Sequence, residues 1–224
     1  MISIKSIAVG ILCLIATMLT AGCGGGGNAQ IRVMNASPDI STVDAGINNK
    51  NVASAVAYGT ASTYVSVNSG SVTLQMGPTG ATTPLINQSI SLGSGSTSTL
   101  VAANFSASIA LDILTDDNTP PTSGNVKIRL VNESPGLGLA DVYLVTPGTS
   151  LTTVNPTASL GFQAASTYQQ VAAGNYEVFF TLPGQKFPSI DSGPLTLAAG
   201  QIRTVVALDS QAGGLTAVVL NDLN

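Results

Sequence analysis

Short runs in which apolar and polar residues alternate, broken by clusters of Gly, Asn, Ser and Pro, dominate the chain and predict strands rather than helices. Gln30 to Met34 alternates with Ile31 and Val33 on one face. Asn35-Ala36-Ser37-Pro38-Asp39 ends it, since Pro38 fixes its own φ and biases Ser37 away from helix. A second strand is expected over Val43 to Ile47, closed by the polar turn Asn48-Asn49-Lys50-Asn51. Residues 52–61 are rich in Ala and would tolerate a helical turn, but read as extended. Thr63 to Val67, the turn Asn68-Ser69-Gly70, and Ser71 to Met76 form the clearest hairpin pattern. Ile90 to Leu92, Thr97 to Ala103 and Ile109 to Leu114 follow as strands. About seven short strands punctuated by turns predict a β-sandwich.

The pattern then repeats. Residues 31–44, IRVMNASPDISTVD, return at 128–141 as IRLVNESPGLGLAD, with Arg32, Asn35, Ser37, Pro38 and Asp44 recurring as Arg129, Asn132, Ser134, Pro135 and Asp141, all 97 residues on. Ser166-Thr167-Tyr168 repeats Ser62-Thr63-Tyr64, and Leu220-Asn221-Asp222 closes the second half as Leu114-Thr115-Asp116 closes the first. The offset drifts to 106 by the end, so insertions fall in loops while the order is kept. A period this long indicates duplicated domains, not a solenoid. The Pro-containing stretch 117–125 reads as the linker between a first domain at 30–116 and a second at 126–224. Tyr64 and Tyr168 are expected as the large anchors of the two cores.

Composition narrows the function. Only 8% of residues are charged and 44% are hydrophobic, which excludes the low-hydrophobicity, high-charge signature of disorder. With net charge −4 and seven scattered Lys and Arg residues, no basic patch for nucleic acid is expected. His is absent, which removes the commonest general base and the commonest metal ligand. Trp is absent as well.

The N-terminus supplies an address. Lys5 precedes the apolar run Ile7–Leu19, followed by Thr20-Ala21-Gly22-Cys23, the marks of a secretory signal. That run is too short to span a bilayer core of about 30 Å. Leu19 to Cys23 also resembles the bacterial lipoprotein box, with residues 1–22 as the signal peptide and Cys23 as the first mature residue. The resemblance implies a thioether-linked diacylglycerol and an amide-linked acyl chain such as palmitate on Cys23, and, because Gly24 rather than Asp follows, sorting to the outer membrane. Several acyl chains anchor stably where one does not. Cys13 leaves with the signal, so no internal disulfide is possible. Residues 23–29 read as a Gly-rich tether. A phosphate loop is excluded there by the lack of a following Lys-Ser/Thr and of a preceding strand.

No catalytic residue, metal ligand or cofactor is expected. A Ser nucleophile needs a base, and Lys50, Lys127 and Lys186 lie in unrelated surroundings. Asp39 with Asp44, or Asp112 with Asp116 and Asp117, are the carboxylate groups that could meet around a cation. Asn35, Ser37, Asp39 and Asp44, with Asn132, Ser134 and Asp141, form the candidate loop site. Their plain reading is that short polar side chains tie down turns through backbone hydrogen bonds. Arg32 and Arg129 are read as paired with a local carboxylate or flanking a strand face.

At Arg32 to Asp44 the chain resembles the bacterial domain-of-unknown-function family 4397, which typically begins R-V-x-H-A-S-P-D-A-P-x-V-D-V-Y. That family carries a Tyr six residues before a Gly, as at Tyr64/Gly70 and Tyr168/Gly174, and its closing A-G-x-x-Y-T is partly matched at Ala199 to Thr204. Both halves replace the family's His, by Asn35 and Asn132, and Asp39 becomes Gly136 in the second. The resemblance implies an immunoglobulin-like β-sandwich on an exported protein. The expected fold is therefore all-β: two tandem immunoglobulin-like antiparallel β-sandwiches behind a cleaved lipoprotein signal. The expected function is a non-catalytic binding or scaffold module, held to the membrane by its N-terminal lipid and contacting an envelope protein or an extracellular polymer. The alternatives are a structural surface or adhesion component, or a polysaccharide-binding or carbohydrate-active protein.

Overall fold

The computed structural model describes residues 26–223. The signal peptide, Cys23 and the first tether glycines lie outside the described residues. The first half forms β1 (Asn28–Ala36), β2 (Thr42–Ile47), β3 (Lys50–Ala57), β4 (Val65–Asn68), β5 (Gly70–Pro78), β6 (Ile86–Leu92), β7 (Thr97–Ala103) and β8 (Ala110–Thr115). The second forms β9 (Asn125–Asn132), β10 (Ala140–Val145), β11 (Ala158–Leu160), β12 (Ala164–Ala165), β13 (Gln169–Ala172), β14 (Gly174–Thr181), β15 (Pro188–Asp191), β16 (Leu195–Leu197), β17 (Ile202–Asp209) and β18 (Leu215–Leu223). Residues 52–57 of the Ala-rich stretch are extended in β3, whereas 58–61 turn at Gly59, whose φ is +71. β1 begins at Asn28, inside the expected tether, because Gly27 O accepts hydrogen bonds from the backbone amide and hydroxyl of Ser69.

Each half is two sheets with a core between them. In the first, β4-β1-β7-β8 faces β3-β2-β5-β6; in the second, β12/β13-β9-β17-β18 faces β11-β10-β14-β15, with β16 beside β14. Ile31, Val33, Leu74 and Leu100 fill the first core, and Ile128, Leu130, Phe180 and Val205 the second. Two expectations change. The sheets are not purely antiparallel, since β1 runs parallel to β7 and β9 parallel to β17. The hairpin expected across Ser69 is a crossing between sheets: β4 pairs with β1 while β5 pairs with β2 and β6. Gly70, at φ +106, makes the sharp corner. Alternation shows which face a residue takes but not which strand it bonds, so both patterns look alike in sequence.

The two sandwiches stack face to face, giving four layers of sheet. β7 and β17 are therefore covered on both sides, and all eight residues of β17 are buried. A third apolar cluster fills the seam: Met34, Val101 and Leu114 from the first half, with Val131, Val206, Leu208 and Leu220 from the second.

Below that cluster lies a closed polar ring. Arg32 Nη2 donates to Asp222 Oδ1 at 2.5 Å, and Arg129 Nη2 to Asp116 Oδ1 at 2.7 Å, so each guanidinium reaches the other sandwich. Arg32 Nε donates to Thr99, whose hydroxyl donates to Asp116 Oδ2; Arg129 Nε donates to Thr204, whose hydroxyl donates to Asp222 Oδ2. Tyr64 OH completes Asp116 at 2.8 Å and Tyr168 OH completes Asp222 at 2.9 Å. Each tyrosine ring also lies under the arginine of its own half, 4.8 Å and 4.6 Å from the guanidinium carbon. The arginines are thus buried and each bonded to a carboxylate of the other half, Arg32 to one far away in sequence and Arg129 to one 13 residues back. The tyrosines are not core anchors: they are half-buried at the rim of the seam. Residue recurs against residue, as at a two-fold interface between identical subunits.

Strand directions then sort the loops. β1, β7, β9 and β17 run the same way, so the Asn-Ser-Pro turns of both halves lie at one end. The N-terminal segment, the linker and the chain's end lie at the other.

Removing one partner of a buried ion pair strands the other's charge, at about 3–5 kcal/mol. Arg32→Ala should lower the unfolding free energy by that amount in urea titrations. A loss below about 1 kcal/mol would mean that the ring does not hold the halves.

Candidate functional site

The expected loop site separates into structural parts. Asn35 is fully buried at the end of β1 and acts as a plug: its Nδ2 donates to Ile40 O at 2.9 Å and Val56 O at 3.4 Å, and its Oδ1 accepts from Ser37 N at 3.1 Å. Asn132 does the same in the second half, bonding Gly138 O, Leu160 O and Ser134 N. An amide, which both donates and accepts, suits a turn whose backbone offers both kinds of group.

The aspartates explain one difference between the repeats. Asp39 accepts from Ser37 Oγ at 3.0 Å and from the amide and hydroxyl of Ser106 at 2.8 and 2.6 Å, joining two loops. In the second half that carboxylate comes from the other loop. Asp209, closing β17, accepts from the Ser134 hydroxyl and the Gly136 amide. A Cβ on Gly136 would stand 2.7 Å from Asp209 Oδ1, so glycine here follows from the relocated carboxylate.

Asp44 accepts from Ala55 N at 2.7 Å and Thr79 Oγ1 at 2.8 Å; Asp141 accepts from Ser159 Oγ at 2.5 Å and Gly184 N at 2.7 Å. Burial works against ionisation of Asp39, but the Ser106 and Ser37 hydrogen bonds outweigh it and hold its carboxyl below the usual range. The Ala55 amide, helped by Thr79 and Gly80, does the same for Asp44. At Asp141 the donors are Ser159 and Gly184. These acids are ionised acceptors that fix loops. Asp112, Asp116 and Asp117 do not converge either: Asp116 enters the ring, and Asp117 meets Lys127 at 2.6 Å. Among the described residues no group of three or more His, Cys, Asp or Glu stands together as a metal site.

Two features escaped the sequence reading. The first is Glu133, fully buried in the seam, whose carboxyl is pushed up to about 9 by burial and by Asp112 beside it. The second is the distribution of exposed apolar side chains. Leu85, Phe105, Leu139, Leu182 and Phe187 are exposed, Phe187 by 82%, and all five lie in or beside loops at the Asn-Ser-Pro end. Of the large exposed hydrophobics among the described residues, only Ile113 and Val219 lie on the flanks. Scattered leucines and phenylalanines in Pro- and Gly-containing loops carry no period, so nothing in sequence gathers them.

A family model described as a domain of unknown function, DUF4397, matches residues 29–143 and again 140–224. The chain belongs to the DUF4397 family. It carries two tandem copies, each with the asparagine plug at the end of its first strand. No curated protein matches the sequence. Among solved structures, a streptococcal family 41 carbohydrate-binding module that recognises α-glucan is 12% identical, with a TM-score of 0.29 over 85% of this chain and 96% of that one. A family 26 module of Eubacterium rectale Amy13K, solved with maltoheptaose, is 11% identical with TM-score 0.27, covering 88% and 98%. A putative cell adhesion protein from Bacteroides eggerthii is 10% identical with TM-score 0.20, covering 89% and 98%. At such scores the likeness fixes neither topology nor ligand.

Asn132→Ala removes the partner of two carbonyls and one amide, two of the three bonds being fully buried, and should cost about 1–3 kcal/mol. Urea unfolding of the variant checks this; an unchanged midpoint would mean that the turn holds itself without the plug.

Proposed function

We propose that this DUF4397 protein is a non-catalytic binding module of the cell surface, anchored through Cys23 and making contact with its loop-bearing end. The observation that carries the reading is that Leu85, Phe105, Leu139, Leu182 and Phe187 are all exposed at the end away from the N-terminal segment. Contiguous exposed apolar patches on otherwise polar rims mark contact sites, and loops on a rigid sheet scaffold are where binding surfaces are built. With the tether at the opposite end, a lipid on Cys23 would leave this tip facing away from the bilayer. That polarity supports an adhesion or surface-contact role over a scaffold whose work is done against the membrane. The immunoglobulin-like assignment of each half belongs to the same reading, supported by the two facing sheets and the strand that crosses between them. Among the described residues no helix is long and apolar enough to cross a membrane.

Two measurements test the parts separately. Mass spectrometry of the mature N-terminus should find an acylated Cys23, and Cys23→Ser should leave unprocessed precursor; an unmodified thiol contradicts the anchor. For the tip, the Leu182→Ser/Phe187→Ser variant should lose at least about tenfold in retention on the purified polymer or envelope protein that holds the wild type, with its melting midpoint unchanged, since two exposed anchors are worth over 1 kcal/mol. Val219→Ser on the flank should change nothing. Equal retention by all three proteins contradicts the assignment of the tip.

A further inference from the structure

The seam is nearly two-fold in its residues, and it departs from that symmetry at one place. Where the second half presents Glu133 at the end of β9, the first presents Ala36, 97 residues earlier. Where β8 presents Asp112, β18 presents Val218; where the second half holds Gln163 at φ +58, the first holds Gly59 at φ +71. Gly59 shows how closely these positions meet, since its Cβ would stand 3.3 Å from Val218 Cγ1. Packing is thus satisfied on one side by Ala, Val and Gly, and nothing in the fold requires Glu, Asp and Gln on the other.

Those three polar residues are also short of partners. Both Glu133 oxygens, Asp112 Oδ2 and Gln163 Nε2 are buried and make no hydrogen bond within the chain. Glu133 is fully buried, and a half-satisfied buried polar cluster is costly. The two carboxyls face each other across the two halves, and burial and Asp112 keep on Glu133 a proton that a bound cation would displace. Half a turn of the Gln163 amide, whose oxygen and nitrogen are interchangeable in shape, presents an oxygen in place of the unpartnered nitrogen. A crevice of about 540 Å³ opens beside the group, lined by Asp112 and Gln163 together with Asp117, Arg129 and Tyr168; Glu133 is not among its lining residues. An all-oxygen donor set of this kind suits a hard cation that accepts irregular geometry and completes its shell with water, which is calcium rather than a thiophilic or strictly octahedral metal.

We propose that Glu133 and Asp112, with the Gln163 amide, bind a calcium ion in the seam and so clasp the two sandwiches together. The site is separate from the tip, and its crevice is shared with Arg129 and Tyr168 of the arginine–aspartate ring.

The test is thermal unfolding and calorimetric titration of the mature chain with calcium chloride, against sodium chloride of equal ionic strength. A dissociation constant of about 0.1–1 mM is expected, as in extracellular calcium modules. At ten times that concentration the melting midpoint should rise by about 3–6 °C. Glu133→Gln keeps the shape and removes the charge. Glu133→Ala copies the first half's residue at this place, so it should fold. Both should abolish the calcium-specific rise. No rise in the wild type, an equal rise with sodium chloride, or a rise retained in both variants overturns the site.

Discussion

Everything in this protein depends on the ring in which each half supplies an arginine to the other half's aspartate. Burying either carboxylate in an apolar seam without a partner would be costly. Asp116 is made tolerable there by Arg129 from the second sandwich and by Thr99 and Tyr64 from the first; Asp222 is completed by the reciprocal set. The ring therefore closes only when both sandwiches are present and in register. Above it, Met34, Val101, Val206 and Leu208 form an apolar seam that resembles a subunit interface within one chain. Buried ion pairs are weak evidence for net stability, but a closed and fully bonded ring permits one relative orientation and penalises others.

That fixed orientation is what gives the molecule two ends. The Asn-Ser-Pro turns of both halves share one end, and Tyr58 of the first half donates its hydroxyl to Asp209 O of the second there. Asn35, Asn132, Asp39 and Asp209 then stiffen those loops, so the apolar residues beside them are presented on a firm surface. Duplication supplied the symmetric seam; the places where the repeats differ are where new properties are expected. Glu133 against Ala36 is one, and Asp209 with Gly136 against Asp39 is another.

Much of this was legible in the sequence. The repeat, the all-β character and the role of Asn35 and Asn132 as turn residues followed from alternation and from short polar side chains at strand ends. Strand partners did not, because the β4–β5 crossing and a hairpin share one pattern. The seam left a signal that was passed over. Leu100 to Ala103 and Val205 to Leu208 are continuous apolar runs, the mark of strands covered on both faces. Arg32 and Thr99 recur as Arg129 and Thr204 at outward positions of β9 and β17, and Tyr64 and Asp116 recur beside them as Tyr168 and Asp222. Treating those arginines as locally paired overlooked that an outward face beside a doubly buried strand is itself covered. Glu133 had no signal of its own, since a single Glu in a loop tip normally points to water.

Differential scanning calorimetry of the mature chain tests the claim that the ring and seam make the two sandwiches one cooperative body. A single transition whose calorimetric and van't Hoff enthalpies agree, with a ratio of about 1, is the predicted result. Two resolved transitions, or a ratio near 2, would show sandwiches that unfold independently and would contradict it.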